Sequence, residues 1–381
     1  DLITLDGTTG EVLEGQVPLV SVGLMDSFYT LMKWSDEYRD IGIRVNADTP
    51  QDAGVASKFG IEGIGLCRTE HMFFAEERLT VLREAIFAHS SLDRATALER
   101  ILPMQRKDFS ALFKIMAPLP VCLRLFDPPL HEFLPNSRAG VQQLAEAMNL
   151  TLKEVQERIE GLSEFNPMLG MRGVRLGIIV PEIYEMQARA IFEAVIDISI
   201  SSKQNIVPEI MIPLVSAKRE VELVKSSIDS VAKQVSEESG CSIDYKLGVM
   251  VETPRAALRA GEISRDVTFF SFGTNDMTQM TYGLSRDDAG RFMSNYVSQG
   301  VFEEDPFHIL DRDGVGELLS LACERGRETN KNLTLSVCGE HGGDPESIEF
   351  CRALGMDYVS CSPYRVPVAK LAAAQLAIIN K

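Results

Sequence analysis

Three apolar runs in this chain each end in a residue able to do chemistry. Leu247-Gly248-Val249-Met250-Val251 runs into Glu252-Thr253-Pro254, and Phe269-Phe270-Ser271-Phe272 runs into Gly273-Thr274-Asn275-Asp276. Leu333-Thr334-Leu335-Ser336-Val337 runs into Cys338-Gly339-Glu340-His341-Gly342-Gly343. Runs rich in β-branched and aromatic side chains read as strands, so two acids and a thiol each emerge at a strand's carboxyl end. Mg²⁺ is usually held by one or two carboxylates, with substrate oxygens and water completing its shell. Glu252 and Asp276 are therefore the candidate metal ligands. A lone Asn-Asp after a strand is an ordinary turn; three distant segments with one layout carry the inference.

Two arginines extend the pattern. Arg68 ends an apolar run in Arg68-Thr69-Glu70-His71, and Arg124 stands inside Cys122-Leu123-Arg124-Leu125-Phe126 before Asp127. Guanidinium offers a planar fork for phosphate or carboxylate and stays charged when buried. In an apolar run, the charge of Arg124 requires a partner or a ligand. Gly273, Thr274 and Asn275 supply backbone and side-chain donors where the chain leaves its strand, and glycine lets a ligand approach the backbone. Cys338 is an acid/base candidate, with His341 or Glu340 placed to tune its pKa. A metal, two arginines, backbone donors and a thiol describe a site for a small phosphorylated or carboxylated enol, whose developing oxygen charge needs positive neighbours.

Strand ends become one site only if a scaffold gathers them. From Ile41 onward short apolar runs alternate with amphipathic ones. The candidate strands are 42–46, 62–67, 120–125, 173–177, 208–214, 247–251, 267–272, 333–338 and 357–361, with helices over Pro181–Val195, Ala217–Glu238 and Val315–Thr329. Such alternation predicts parallel strands with crossover helices. A (β/α)₈ TIM-type barrel is the expected fold, with its functional residues at the strand carboxyl ends. Nine candidates is one too many, and 173–177, broken by Arg175, is the weakest. A doubly wound sheet is the alternative, but no G-x-G-x-x-G follows any strand. Residues 1–17 read as a strand–Asp-Gly-turn–strand hairpin, 18–40 as a linker with a helix over 24–40, and 41–381 as the barrel.

Composition narrows the function classes. The 381 residues suffice for a large core, and 45% hydrophobic with 24% charged residues is ordinary for a globular chain. A net charge of −17 argues against nucleic acid, which demands clustered Lys and Arg. It also means that an anionic ligand needs a local basic patch. No run approaches the length of a membrane span, and no secretory signal opens the chain. The seven cysteines include no C-x-x-C, which fits reduced thiols in an intracellular, soluble protein. Asp1 in place of an initiator methionine suggests a processed or cut chain.

These residues resemble the carboxy-terminal part of the pyruvate, phosphate dikinase family. The resemblance lies in Gly63-Ile64-Gly65-Leu66-Cys67-Arg68-Thr69-Glu70-His71-Met72-Phe73-Phe74 and in Phe270 to Gln279. Cys338 to Pro345 and Asp357 to Pro363 continue it. It covers essentially the whole chain. Phosphoenolpyruvate (PEP) synthase and enzyme I of the sugar phosphotransferase system are similar, but the Cys67–Phe74 text, Arg286-Asp287-Asp288-Ala289-Gly290 and the His341-Gly342-Gly343 ending favour the dikinases. The resemblance implies a family reaction that interconverts ATP, phosphate and pyruvate with AMP, diphosphate and PEP, through a phosphohistidine on a swivelling domain. It implies that Arg68 and Arg124 clamp the phosphoryl group and that Glu252 and Asp276 hold Mg²⁺. Gly273, Thr274 and Asn275 would bind pyruvate or PEP oxygens, Cys338 would move the methyl proton, and Arg286 would reach the substrate as in enzyme I. It further implies a homodimer joined through the barrel.

No Thr-Ser-His-Ala-type carrier sequence and no nucleotide-grasp domain occur in the chain, and residues 1–17 resemble the last strands of the phosphohistidine domain. The chain is therefore expected to keep the PEP/pyruvate half-site without performing the full reaction. Two other readings stand beside it: a dimerisation or docking barrel with no activity of its own, and a carbon–carbon lyase of the pyruvate-barrel superfamily. The compartment, whether cytoplasm, plastid or microbody, is not legible.

Overall fold

Eight parallel strands close into a barrel in the order β10-β3-β4-β5-β6-β7-β8-β9. They are β3 (Gly42–Asn46), β4 (Ile64–Arg68), β5 (Val121–Arg124), β6 (Glu209–Ile212), β7 (Lys246–Val251), β8 (Phe269–Gly273), β9 (Thr334–Cys338) and β10 (Tyr358–Cys361). A separate antiparallel pair, β1 (Ile3–Leu5) and β2 (Val12–Glu14), precedes them, with Ile3 opposite Glu14. The computed structural model describes residues 2–6, 10–18, 26–88, 90–164 and 166–379. The expected hairpin turn at Asp6-Gly7 and the start of the linker helix at 24–25 therefore lie partly outside the described residues. The helix itself spans Asp26–Tyr38.

The strands are apolar on both faces because helices cover the outside and side chains fill the inside. The main core lies between strands and helices, with Ile43, Ile64, Phe270 and Val337 fully buried. A smaller cluster fills the barrel itself: Leu66, Cys122, Met211, Met250, Phe269 and Cys338. Towards the amino-terminal end of the strands, Arg44 pairs with Glu209 at 2.6 Å and its guanidinium lies 3.9 Å from the centre of the Tyr358 ring. On the outer side, the fully buried Lys370 of the last helix (Val366–Ile379) ties Asp36 of the linker helix to the Gly60 carbonyl. Each of its bonds is a charge-assisted one.

The run 173–177 is not a strand. Gly173 adopts φ 55°, and a helix runs from Val174 to Ile179. Its Val174 and Leu176 are fully buried in the main core, and Gly173 itself is pinned by donating its N–H to the Asp127 carbonyl at 2.7 Å. A side chain there would meet Leu214 Cβ at 2.6 Å, so glycine is required. Removing this candidate leaves eight strands and closes the barrel.

Candidate active site

Strand register brings the charged residues together. Arg68 and Arg124 are register partners on β4 and β5, and Gly273 and Cys338 on β8 and β9. Glu252 follows β7 directly, where Thr253 caps the next helix by accepting the Ala256 N–H at 3.1 Å. On the far side Gly273 hands over without a loop to the helix Thr274–Tyr282, which has no side-chain cap and whose first-turn N–H groups lack intrahelical partners, and Gly273 and Asn275 at its start line the cavity. A cavity of about 340 Å³ is lined by Arg68, Arg124, Glu252, Asn275, Asp276 and Cys338 among others, including Gly273 and Arg286. Thr274 is buried just behind it.

Arg124 is buried and answers the demand made by its apolar surroundings with two acids. It donates to Glu70, and its Nη1 lies 3.3 Å from Asp127 Oδ2. Its Nε has no partner and faces no solvent. Arg68 is held from below by Asp48, which accepts both the Arg68 backbone N–H (2.7 Å) and its Nη1 (3.2 Å). His71 Nδ1 shares that carboxylate at 2.9 Å, which lifts the imidazole above its ordinary value.

Glu252 is almost wholly buried. Its Oε1 accepts the Leu214 N–H at 2.6 Å, while Oε2 is buried with no partner. Burial, then the nearby Asp276 and Asp127, push its carboxyl well above the usual range. A Cβ on Gly273 would stand 2.7 Å from that Oε2, so the glycine keeps the space beside it open. An orphaned carboxylate oxygen, a second acid and a clear approach fit a hard cation completed by substrate oxygens. Among the described residues there is no group of three or more His, Cys, Asp or Glu able to hold a metal unaided.

Cys338 is 3% exposed, and its thiol faces the Phe272 carbonyl at 3.6 Å. Burial raises its pKa, so at neutral pH it is a protonated thiol that can donate. The expected tuning by His341 or Glu340 does not appear. His341 is buried with Nε2 3.1 Å from the Pro306 carbonyl and Nδ1 2.7 Å from Thr274 Oγ1. The carbonyl can only accept, so Nε2 carries the proton and Nδ1 accepts the threonine hydroxyl. The ring is neutral, and burial lowers its pKa further. It fixes Thr274 rather than the thiol. Glu340 instead lies 3.9 Å from Arg286, whose backbone N–H donates to Gln279 Oε1 at 2.7 Å.

One charged residue beside the site escaped the sequence. Arg172 Nη2 lies 2.6 Å from Asp127 and 3.3 Å from Asp276, joining the β5 end to the β8 end. Arg124 and Arg172 together hold Asp127 below the usual carboxylate range, against the burial that pushes it up. Arg172 stands on no strand, and its only signal was a lone arginine in Gly170-Met171-Arg172-Gly173. Asp127 and Glu70 were legible as rim charges but not as partners of Arg124.

The model of the PEP-utilising enzyme, PEP-binding domain, matches residues 24–378. The chain belongs to this family. Proteins named pyruvate, phosphate dikinase are similar to this PEP-binding domain over nearly all of its length. The one from Rhizobium meliloti (strain 1021) is 54% identical over 99% of the chain, that from Clostridium symbiosum 49% over 100%, and that from Giardia intestinalis 51% over 99%. The chain spans 42%, 44% and 42% of their respective lengths. Among the described residues, no helix is long and apolar enough to cross a membrane.

Proposed function

We propose that this chain is the pyruvate/PEP half-site of a pyruvate, phosphate dikinase. The observation that carries this reading is the convergence of Arg68, Arg124, Glu252, Asn275, Asp276 and Cys338 on one cavity of a PEP-binding domain. The phosphoryl group would arrive on, or leave to, a histidine of another domain. An adjoining cavity of about 780 Å³, which shares Asp276, Gln279 and Arg286 with the site and is also lined by Arg172, gives such a donor room to approach.

Gly273, Thr274 and Asn275 orient the ligand's carboxylate and oxo oxygens at the helix N-terminus, with Thr274 fixed by His341. Arg68 and Arg124 hold the transferring phosphoryl group, and Arg172 and Arg286 add positive charge at the mouth. These four offset the field of a chain carrying −17 overall. Glu252 and Asp276 would hold Mg²⁺, which when bound offsets charge on the enolate oxygen. When PEP gives up its phosphoryl group, the P–O bond to the enol breaks and its electron pair stays on that oxygen. The Cys338 thiol then gives its proton to the methylene carbon, forming the pyruvate methyl group. The resulting thiolate regains a proton from solvent, and in reverse it removes one from the methyl.

In the same reading residues 1–17 end the phosphohistidine domain, 18–40 link it to the barrel at 41–381, and a second copy is the dimer partner. The test is deuterium uptake into the pyruvate methyl, followed by proton NMR with the purified chain and Mg²⁺. Uptake that is lost in Cys338→Ala supports the half-site; equal uptake in both proteins contradicts it.

A further inference from the structure

Side chains on one face of a strand recur every second residue. Beneath each polar group of the site there is therefore a second inward-facing residue: Leu66 under Arg68, Cys122 under Arg124, Met250 under Glu252, and Ser271 under Gly273. Part of this layer is apolar. Leu66 and Met250, each 2% exposed, pack in one cluster with Cys338, and all three line the cavity. Met250 Sδ lies 3.8 Å from Arg124 Nη1, and 3.0 Å from where a Cβ on Gly273 would stand. The thioether thus closes the space between the arginine and the strand-end glycine.

We propose that Leu66 and Met250 are the wall against which the ligand's methyl or methylene carbon packs, and that they limit the site to three-carbon 2-oxo acids and their enol phosphates. This inference rests on the half-site reading above. The ligand's oxygens are claimed by Gly273–Asn275 and the Glu252–Asp276 pair, so its remaining carbon must face Cys338, which exchanges a proton with it. That carbon then meets Leu66 and Met250, the apolar neighbours of the thiol. A fourth carbon has to displace one of the two. A misfit of one methylene in an apolar pocket is worth about 10–200-fold. Methionine is flexible enough to yield somewhat, so the expected discrimination lies near the lower end.

The test is displacement of oxalate from the chain at saturating Mg²⁺ by pyruvate or by 2-oxobutyrate. Oxalate carries an oxygen where pyruvate has its methyl carbon, so it is no bulkier than pyruvate and reports on the polar contacts without a fourth carbon. The unmodified chain is expected to favour pyruvate by about tenfold or more. Met250→Ala should lower that ratio by about tenfold while oxalate affinity stays within roughly threefold. Leu66→Val is the second variant should Met250→Ala not fold, with a shift in the same direction. Equal affinity of the unmodified chain for both oxo acids would overturn the inference. So would an unchanged ratio in the folded variants, or loss of oxalate binding along with both oxo acids in Met250→Ala. Failure of the unmodified chain to bind oxalate would instead overturn the half-site reading, and this inference with it.

Discussion

Arg172 Nη2 stands 3.3 Å from Asp276 Oδ2, across the mouth of the barrel. The same nitrogen is 2.6 Å from Asp127, which also pairs with Arg124. A single cation therefore balances both the acid that pairs with Arg124 and the Asp276 carboxylate on the opposite side of the cavity.

Removal of Arg172 should change stability and metal affinity in opposite directions. Arg172→Ala leaves largely buried carboxylates with one partner fewer, a loss of roughly 3 kcal/mol by the cost of breaking buried ion pairs. The urea midpoint at neutral pH measures it. The more negative site should bind Mg²⁺ more tightly, by up to about tenfold if ~1.4 kcal/mol of repulsion is relieved, as read by Mg²⁺ titration without organic ligand.

Glu252 should make the metal-free chain less stable as pH rises. Its carboxyl is lifted above the ordinary 4.5 by burial, then by Asp276 and Asp127. The folded state therefore keeps a proton that the unfolded state has already released. Its stabilising contribution is full below about pH 4.3, where the unfolded carboxyl is also protonated, and is lost as pH rises towards the folded pKa. Glu252→Gln should flatten this part of the stability–pH curve, and saturating Mg²⁺ should do the same for the unmodified chain. A curve unchanged by either would contradict the placement of a strained acid here.

Cys338 should show a rising pH profile. Burial holds its thiol above the ordinary 9.0. Proton removal from the pyruvate methyl needs the thiolate, so the exchange rate should climb about tenfold per pH unit from 7 to 9 without a plateau, following the thiolate fraction. Cys338→Ala should abolish exchange yet bind oxalate within about threefold, because truncating a small side chain leaves the charged contacts in place.

Asp48 should govern both Arg68 and His71. The bond from His71 to Asp48 raises the imidazole above its ordinary 6.5, so this contact stabilises the fold fully below about pH 6.5 and is lost as pH rises through the folded pKa. In Asp48→Asn the His71 titration followed by NMR should move down towards the ordinary value. Affinity for a phosphoryl-bearing ligand such as PEP should fall about tenfold as Arg68 loses its anchor, whereas oxalate affinity should change far less.

The legibility of this chain follows from where its residues lie. Glu252, Asp276, Arg68, Arg124 and Cys338 stand at strand ends, and a parallel barrel gathers its strand ends on one rim. Their sequence neighbours therefore announced both element and position. Most strand boundaries were legible to within about two residues, the ordinary scatter of strand ends. The run 173–177 misled because a short apolar segment has the same composition in a strand and in a buried helix. Arg172 was missed for a related reason: it lies where a long excursion after β5 returns to the rim, and no periodic pattern marks that return. The environment of Cys338 was also hidden. Proximity in sequence to His341 and Glu340 suggested partners that the backbone turns away, His341 towards Thr274 and Glu340 towards Arg286.

The most direct test of the half-site is calorimetric titration of oxalate, a stand-in for the pyruvate enolate, into the purified chain with and without Mg²⁺. The account predicts binding that requires Mg²⁺, and its loss in both Glu252→Gln and Arg124→Ala, each checked as folded by circular dichroism. A folded chain that binds no oxalate, or binds it equally well without Mg²⁺ and without Glu252, would contradict the account and favour a barrel that serves only for docking.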